Sequence, residues 1–117
     1  HTPLRPETDG MIDAEAFAAT RPGALLVNTA RAGLVDETAL AHALEQEVVA
    51  GAALDLFSPD APTGPLGRNP RVILTPHLGG TTEEALARTA EAAAENVIRV
   101  LNGTEPNTAL SPKEYLS

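Results

Sequence analysis

Three short apolar runs, at residues 24–27, 48–54 and 72–74, each pass directly into polar residues, with helically spaced segments between them. These read as strands over residues 24–28, 48–54 and 72–74, the first a buried strand and the second, a continuous apolar run, a strand buried on both faces. Asp13 can cap a helix over residues 14–20, with Ala16, Phe17 and Ala19 on its apolar side, and Pro22-Gly23 ends it. Asp36 followed by Leu40, Ala41 and Leu44 marks a second helix from residue 37 to about 45. Residues 56–70, with Pro59, Pro62, Pro65 and Pro70, read as a stiff loop. The longest helix begins on a capping box, Thr81 with Glu84, and carries Leu86, Ala90, Ala93, Val97 and Leu101 before Gly103 stops it. Alternation of this kind predicts an α/β fold with right-handed crossovers and a parallel sheet.

The chain has 117 residues, enough for one small domain, read as residues 1–103 with a tail over 104–117 that lies on a surface or a partner domain. Hydrophobic residues make up 43% and aromatics only 3%, so the core is built from Ala, Leu and Val, as suits helices packed closely on a parallel sheet. A formal charge of -8 argues against nucleic acid and against anionic membrane surfaces, and in favour of small molecules or further copies of the chain as partners. Without cysteine there is no disulfide framework, thiolate metal site or cysteine nucleophile, which fits the cytoplasm. No apolar run approaches the roughly 18 residues of a membrane span, and the first residues lack a signal-peptide pattern. The opening His1-Thr2-Pro3-Leu4-Arg5-Pro6-Glu7-Thr8 is loop-like, with nothing before it to set it on a scaffold, so the chain is expected to begin inside a larger domain.

Parallel strands share their carboxyl edge, where ligands bind in open α/β sheets. That places Asn28 to Arg31, Asp55 and His77, separated by 24 residues from Arg31 to Asp55 and 22 from Asp55 to His77, on one rim. Arg31, among small residues, is suited to gripping a carboxylate with two parallel hydrogen bonds; taken alone, it reads rather as a solvated loop arginine. A histidine titrates near neutral pH and can move a proton, and Asp55 and Asp60 are both available as its carboxylate partner. His77 also has a purely structural reading, set against its fixed position between Pro76 and Leu78-Gly79-Gly80. The two glycines either lead into the helix or let a flat ligand lie against the backbone. His1, His42 and His77 lack zinc-site spacing, so no metal is expected, and Ser58 and Ser111 lack a Gly-x-Ser-x-Gly setting. No Gly-x-Gly-x-x-Gly is present, so these residues by themselves cannot cradle a pyrophosphate.

His1 to Thr8, Asn28-Thr29-Ala30-Arg31, Val35-Asp36-Glu37, Gly51-Ala52-Ala53-Leu54-Asp55-Leu56-Phe57 and Thr75-Pro76-His77-Leu78-Gly79-Gly80 together resemble the D-isomer-specific 2-hydroxyacid dehydrogenase family. The match runs in order and spacing over nearly the whole chain. The Thr-Pro-Leu opening, the Pro-His-Leu-Gly-Gly-Thr-Thr segment and the Asn-Thr-Ala tail look closest to the branch acting on D-3-phosphoglycerate. The resemblance implies the second half of a Rossmann-type, doubly wound nucleotide-binding domain, with a long C-terminal helix, and with the glycine-rich loop upstream. It implies NAD as cofactor, a catalytic arginine, acid and histidine at Arg31, Asp60 and His77, and cofactor contacts from Thr2, Thr29, Ala30, Arg31, Asp55, His77, Leu78, Gly79 and Gly80. Asp55 would lie near the nicotinamide carboxamide. Asp60 stands where the family usually has glutamate, one methylene longer, so its reach to His77 depends on the loop moving inward. Ala32 stands where glycine is typical, and alanine enters positive φ only at a cost.

The implied activity is NAD-dependent hydride transfer to or from a D-2-hydroxyacid, in serine biosynthesis for the phosphoglycerate branch, by a cytoplasmic homodimer or higher homo-oligomer. The 117 residues alone are expected to be inactive. Alternatives are a glyoxylate or hydroxypyruvate reductase, an NAD-sensing transcriptional corepressor of the same fold, and an interaction fragment that folds only against a partner.

Overall fold

The computed structural model describes residues 2–107, so residues 108–117 of the expected tail lie outside the described residues. The chain divides between Gly79 and Gly80 into two compact units.

In the first unit, α1 (Ala14–Ala18), β1 (Ala24–Asn28), α2 (Glu37–Glu45), β2 (Val49–Leu54), α3 (Pro65–Arg68) and β3 (Val72–Leu74) follow in that order. The three strands form a parallel sheet in the order β1-β2-β3, as the alternation predicts. Asn28 pairs with Leu54 and Leu54 with Leu74, so all three strands end level. Both expected caps are present: Asp13 accepts the Ala16 amide at 2.9 Å, and Asp36 accepts those of Thr38 and Ala39 at 2.9 and 3.0 Å. The core gathers Phe17 from α1, Leu40 and Leu44 from α2, Leu66 from α3, and Val49 and Leu54 from β2. Each such side chain contributes about 1.5–3 kcal/mol on burial.

Two expectations change. The central β2 is buried on both faces, as expected, but β1, read as a buried strand, exposes Leu25 and Val27, because it keeps one face outside this core; Ile73 of β3 is exposed likewise. The proline-rich stretch is not all loop. Pro65 supplies the fixed φ of a first helical position, and α3 forms behind it, with the Gly67 amide donating to the Ala61 carbonyl at 2.9 Å. A Cβ at residue 67 would meet the Pro62 carbonyl oxygen at 2.0 Å, so this turn requires glycine. Arg71 donates to the Leu44 carbonyl at the end of α2, which also accepts the Glu47 amide at 3.2 Å.

The second unit is built on α4 (Glu83–Leu101). Its cap is Thr82, whose hydroxyl accepts the Ala85 amide at 3.1 Å, and not Thr81 paired with Glu84. Thr82 has the extended backbone of a cap and stands three residues before that amide, which leaves Glu83 and Glu84 in the first turn, where the helix dipole favours them. Gly103 ends the helix as expected, at φ 73°, with its amide on the Val100 carbonyl. No residue of α4 is buried. Among the described residues no helix is long and apolar enough to cross a membrane.

Candidate active site at the carboxyl rim of the sheet

Level strand ends let the hydrogen-bond ladder continue past the sheet. The Asp55 amide donates to the Asn28 carbonyl at 2.9 Å, Thr75 to Leu54 at 3.0 Å, and His77 to Asp55 at 2.9 Å. The loops after β1, β2 and β3 are therefore stitched side by side, in one rim.

After β1, the buried Asn28 folds its own loop. Its Oδ1 accepts the Ala30 amide at 3.0 Å and its Nδ2 donates to the Arg31 carbonyl at 2.8 Å, closing a turn that fixes where Arg31 leaves the strand. The exposed Arg31 guanidinium donates to the Ala30 carbonyl at 2.7 Å. Arg31, Thr29, Ala30, Thr2 and Pro3 line a pocket of about 250 Å³, which brings the opening loop to the rim. Thr8 shapes that loop: its hydroxyl accepts the Arg5 amide at 2.9 Å and donates to the Pro3 carbonyl at 2.8 Å. Ala32 opens a single 3-10 turn and has no positive φ, so the methyl group there carries no left-handed strain.

After β2, Asp55 is 7% exposed and its carboxylate faces the third loop. Oδ1 accepts the Thr75 hydroxyl at 2.5 Å and the Leu78 amide at 2.7 Å, and Oδ2 accepts the Gly79 amide at 2.8 Å. These bonds, led by the Thr75 hydroxyl, hold the Asp55 carboxyl below the ordinary carboxylate range, with the nearby His77 adding to the effect. A Cβ at Gly79 would sit 2.9 Å from Oδ2, so glycine is required for the loop to close on the carboxylate; at Gly80 nothing lies within 4 Å.

His77 is exposed and held at φ 58°, a conformation uncommon outside glycine. Its amide donates to both the Asp55 and Thr75 carbonyls at 2.9 Å, and the Asp55 carboxylate secures the next two residues. The imidazole is presented on a pinned turn.

Asp60 lies apart from this cluster. This exposed residue lines a cleft of about 470 Å³ with Ala32, Gly33, Glu37, Ser58 and Leu66 among its walls. Among the described residues no hydrogen bond or ion pair joins it to His77. The structure thus brings Thr2, Thr29, Ala30 and Arg31 together, and Asp55 together with His77, Leu78 and Gly79. The sequence places Asn28 on the rim without a role of its own, and Thr75 escapes it as a site residue. An asparagine two residues before a loop amide is a recognisable turn signal, whereas Thr75 meets Asp55 across 20 residues with no local sign. No three described histidine or acidic residues converge as metal ligands.

Residues 1–79 match the family model described as "D-isomer specific 2-hydroxyacid dehydrogenase, NAD binding domain". The chain is 44% identical over 112 residues to the D-3-phosphoglycerate dehydrogenase of Bacillus subtilis, covering 95% of this chain and 21% of that protein. It is 45% identical over 118 residues to the glyoxylate reductase of Thermofilum pendens, covering 99% of this chain and 34% of that one. A crystal structure of Lactobacillus jensenii D-lactate dehydrogenase with NAD+ superposes with a TM-score of 0.87 at 32% identity, over 95% of this chain and 38% of that one. The chain therefore spans between a fifth and two fifths of the length of these relatives.

Proposed function

The chain belongs to the D-isomer-specific 2-hydroxyacid dehydrogenase family, and we propose that it supplies the catalytic rim of an NAD-dependent enzyme oxidising a D-2-hydroxyacid, 3-phosphoglycerate being the preferred substrate. The observation that carries this reading is the rim itself: a guanidinium and an imidazole on the loops after β1 and β3, which flank the loop after β2, with the imidazole's turn fixed by that middle loop's buried carboxylate. The residues suit a nicotinamide cofactor. Thr2, Thr29 and Ala30 line a small pocket, Gly79 has no Cβ to obstruct approach, and Asp55 Oδ2, with one donor, has capacity for an amide N–H.

When bound, NAD supplies the acceptor for the hydride that leaves the substrate carbon. Arg31 holds the substrate carboxylate through paired hydrogen bonds. His77 takes the hydroxyl proton as the carbonyl forms, and returns one in the reverse direction. Asp60, which the resemblance makes the acid partner of His77, would steady the protonated imidazole when the two approach. Asp55 fixes the turn that presents His77 and would hold the nicotinamide carboxamide of bound NAD. The longer protein acts in the cytoplasm, in serine biosynthesis, as a homo-oligomer; the likeness of this chain to D-3-phosphoglycerate dehydrogenases supports the pathway.

A second reading, glyoxylate reduction, draws on the likeness to the Thermofilum pendens protein. One assay tests both. The full-length protein is given D-3-phosphoglycerate with NAD, or glyoxylate with NADH, beside His77→Ala and Arg31→Lys variants. His77→Ala is expected to lower kcat by about 10²–10⁴-fold. Turnover equal to wild type in both variants would end the enzyme reading.

A further inference from the structure

Glu37 opens α2, yet its side chain turns away from the helix and reaches a residue 21 positions later. Its Oε1 accepts the Ser58 amide at 2.6 Å and its Oε2 accepts the Ser58 hydroxyl at 2.5 Å. A carboxylate that takes both donors of one residue fixes that residue's position and orientation together, and charge-assisted bonds of this length are the stronger kind. Ser58 stands two residues before Asp60, on the segment that leaves β2, and Glu37, Ser58 and Asp60 line one cleft. Beyond Asp60 the chain is tied again: the Asp60 carbonyl accepts the Gly64 amide at 2.9 Å, Pro65 starts α3, and Gly67 closes on Ala61.

Asp60 is thus held on both sides by bonds to its neighbours, while its own carboxylate stays free to act. An aspartate is one methylene shorter than a glutamate, so its carboxylate reaches less far and its working position depends more strictly on the backbone beneath it. We propose that Glu37 is a positioning residue for Asp60, clamping Ser58 so that the backbone beneath the short acid is fixed where it lines the cleft. This rests on the reading of Asp60 as the acid that supports His77.

The test uses the full-length protein and a double-mutant comparison of kcat. Asp60→Asn is expected to lower kcat by about 10²-fold. Glu37→Ala is expected to lower kcat by about tenfold, through displacement of the acid, with KM for NAD unchanged. Glu37→Gln, which retains an acceptor for the Ser58 amide, should recover part of the loss. In the Asp60→Asn background, Glu37→Ala should cost nothing further in kcat, which a merely structural role would not produce. Should Glu37→Ala fail to fold, Ser58→Ala removes one bond of the clamp and takes its place in the comparison. Independent, multiplying losses would overturn the positioning role while leaving Asp60 as a catalytic acid. Full activity of Asp60→Asn would overturn the reading of Asp60, and the proposal with it.

Discussion

The Gly79 amide donates to Asp55 Oδ2 at 2.8 Å, and a Cβ on residue 79 would lie 2.9 Å from the same oxygen. The bond and the missing side chain are one requirement: the turn bearing His77 closes on a carboxylate only if residue 79 is glycine. In full-length protein, Gly79→Ala should lower kcat at least about tenfold, since a displaced turn misplaces the imidazole. Gly80→Ala is the matched control, with nothing within 4 Å and no positive φ to strain it. It should keep kcat and alter at most KM for NAD. Equal losses in kcat from the two alanines would contradict this account.

Asp55 also makes the rim sensitive to acid. Its folded-state pKa is lowered, chiefly by the Thr75 hydroxyl, then by the Leu78 and Gly79 amides. A carboxylate with a lowered folded pKa gives stability that is complete above its ordinary value, about 3.9, and is lost as pH falls through the lowered one. Denaturant unfolding of wild type and Asp55→Asn should therefore differ most near neutrality and converge in strong acid. A difference that grew as pH fell would reverse the sign and refute the assignment.

Much of this fold was legible because its signals are local. Asp13 and Asp36 cap helices through amides two or three residues away, and the apolar runs mark all three strands to within a residue. The rim followed from parallel topology alone, since level strand ends place Asn28, Asp55 and the Thr75 to His77 turn side by side. What escaped depends on distant partners. The bond from Thr75 to Asp55 and the clamp of Glu37 on Ser58 join residues 20 and 21 apart, and neither leaves a periodic trace. The exposure of Leu25, Val27 and Ile73 was equally hidden, because an apolar run looks the same whether one face or both are covered. At Ala32 the expected strain is absent, because a 3-10 turn serves where positive φ was anticipated.

Leu40 and Leu44 lie one helical turn apart on α2 and are both fully buried. Either one changed to alanine should cost about 3–5 kcal/mol, the sum of lost transfer energy and the cavity left behind. Equilibrium urea unfolding should show a lower midpoint with an unchanged slope. Leu25→Ala, at a position 76% exposed within this chain, should cost well under half as much if the same face is exposed in the full-length protein. A comparable cost at Leu25 would instead reveal that further polypeptide covers it.

Asn28 links stability to substrate binding. Replacing it with alanine removes the partner of the Ala30 amide and one of the two donors to the Arg31 carbonyl, which keeps the Leu34 amide at 3.3 Å, and should cost about 1 kcal/mol. Freed of that turn, Arg31 would sample more orientations, so KM for the hydroxyacid should rise by more than KM for NAD. Asn28→Asp separates the two bonds: it keeps an acceptor for the Ala30 amide but sets a carboxylate oxygen against the Arg31 carbonyl. It should therefore be no less damaging than alanine at neutral pH and should recover as the carboxyl is protonated. Steady-state kinetics of the three full-length proteins at two pH values, with unfolding midpoints measured alongside, check each step. If Asn28→Ala lost stability but kept KM for the hydroxyacid, the turn would be a structural device only, and the orientation of Arg31 would have another source.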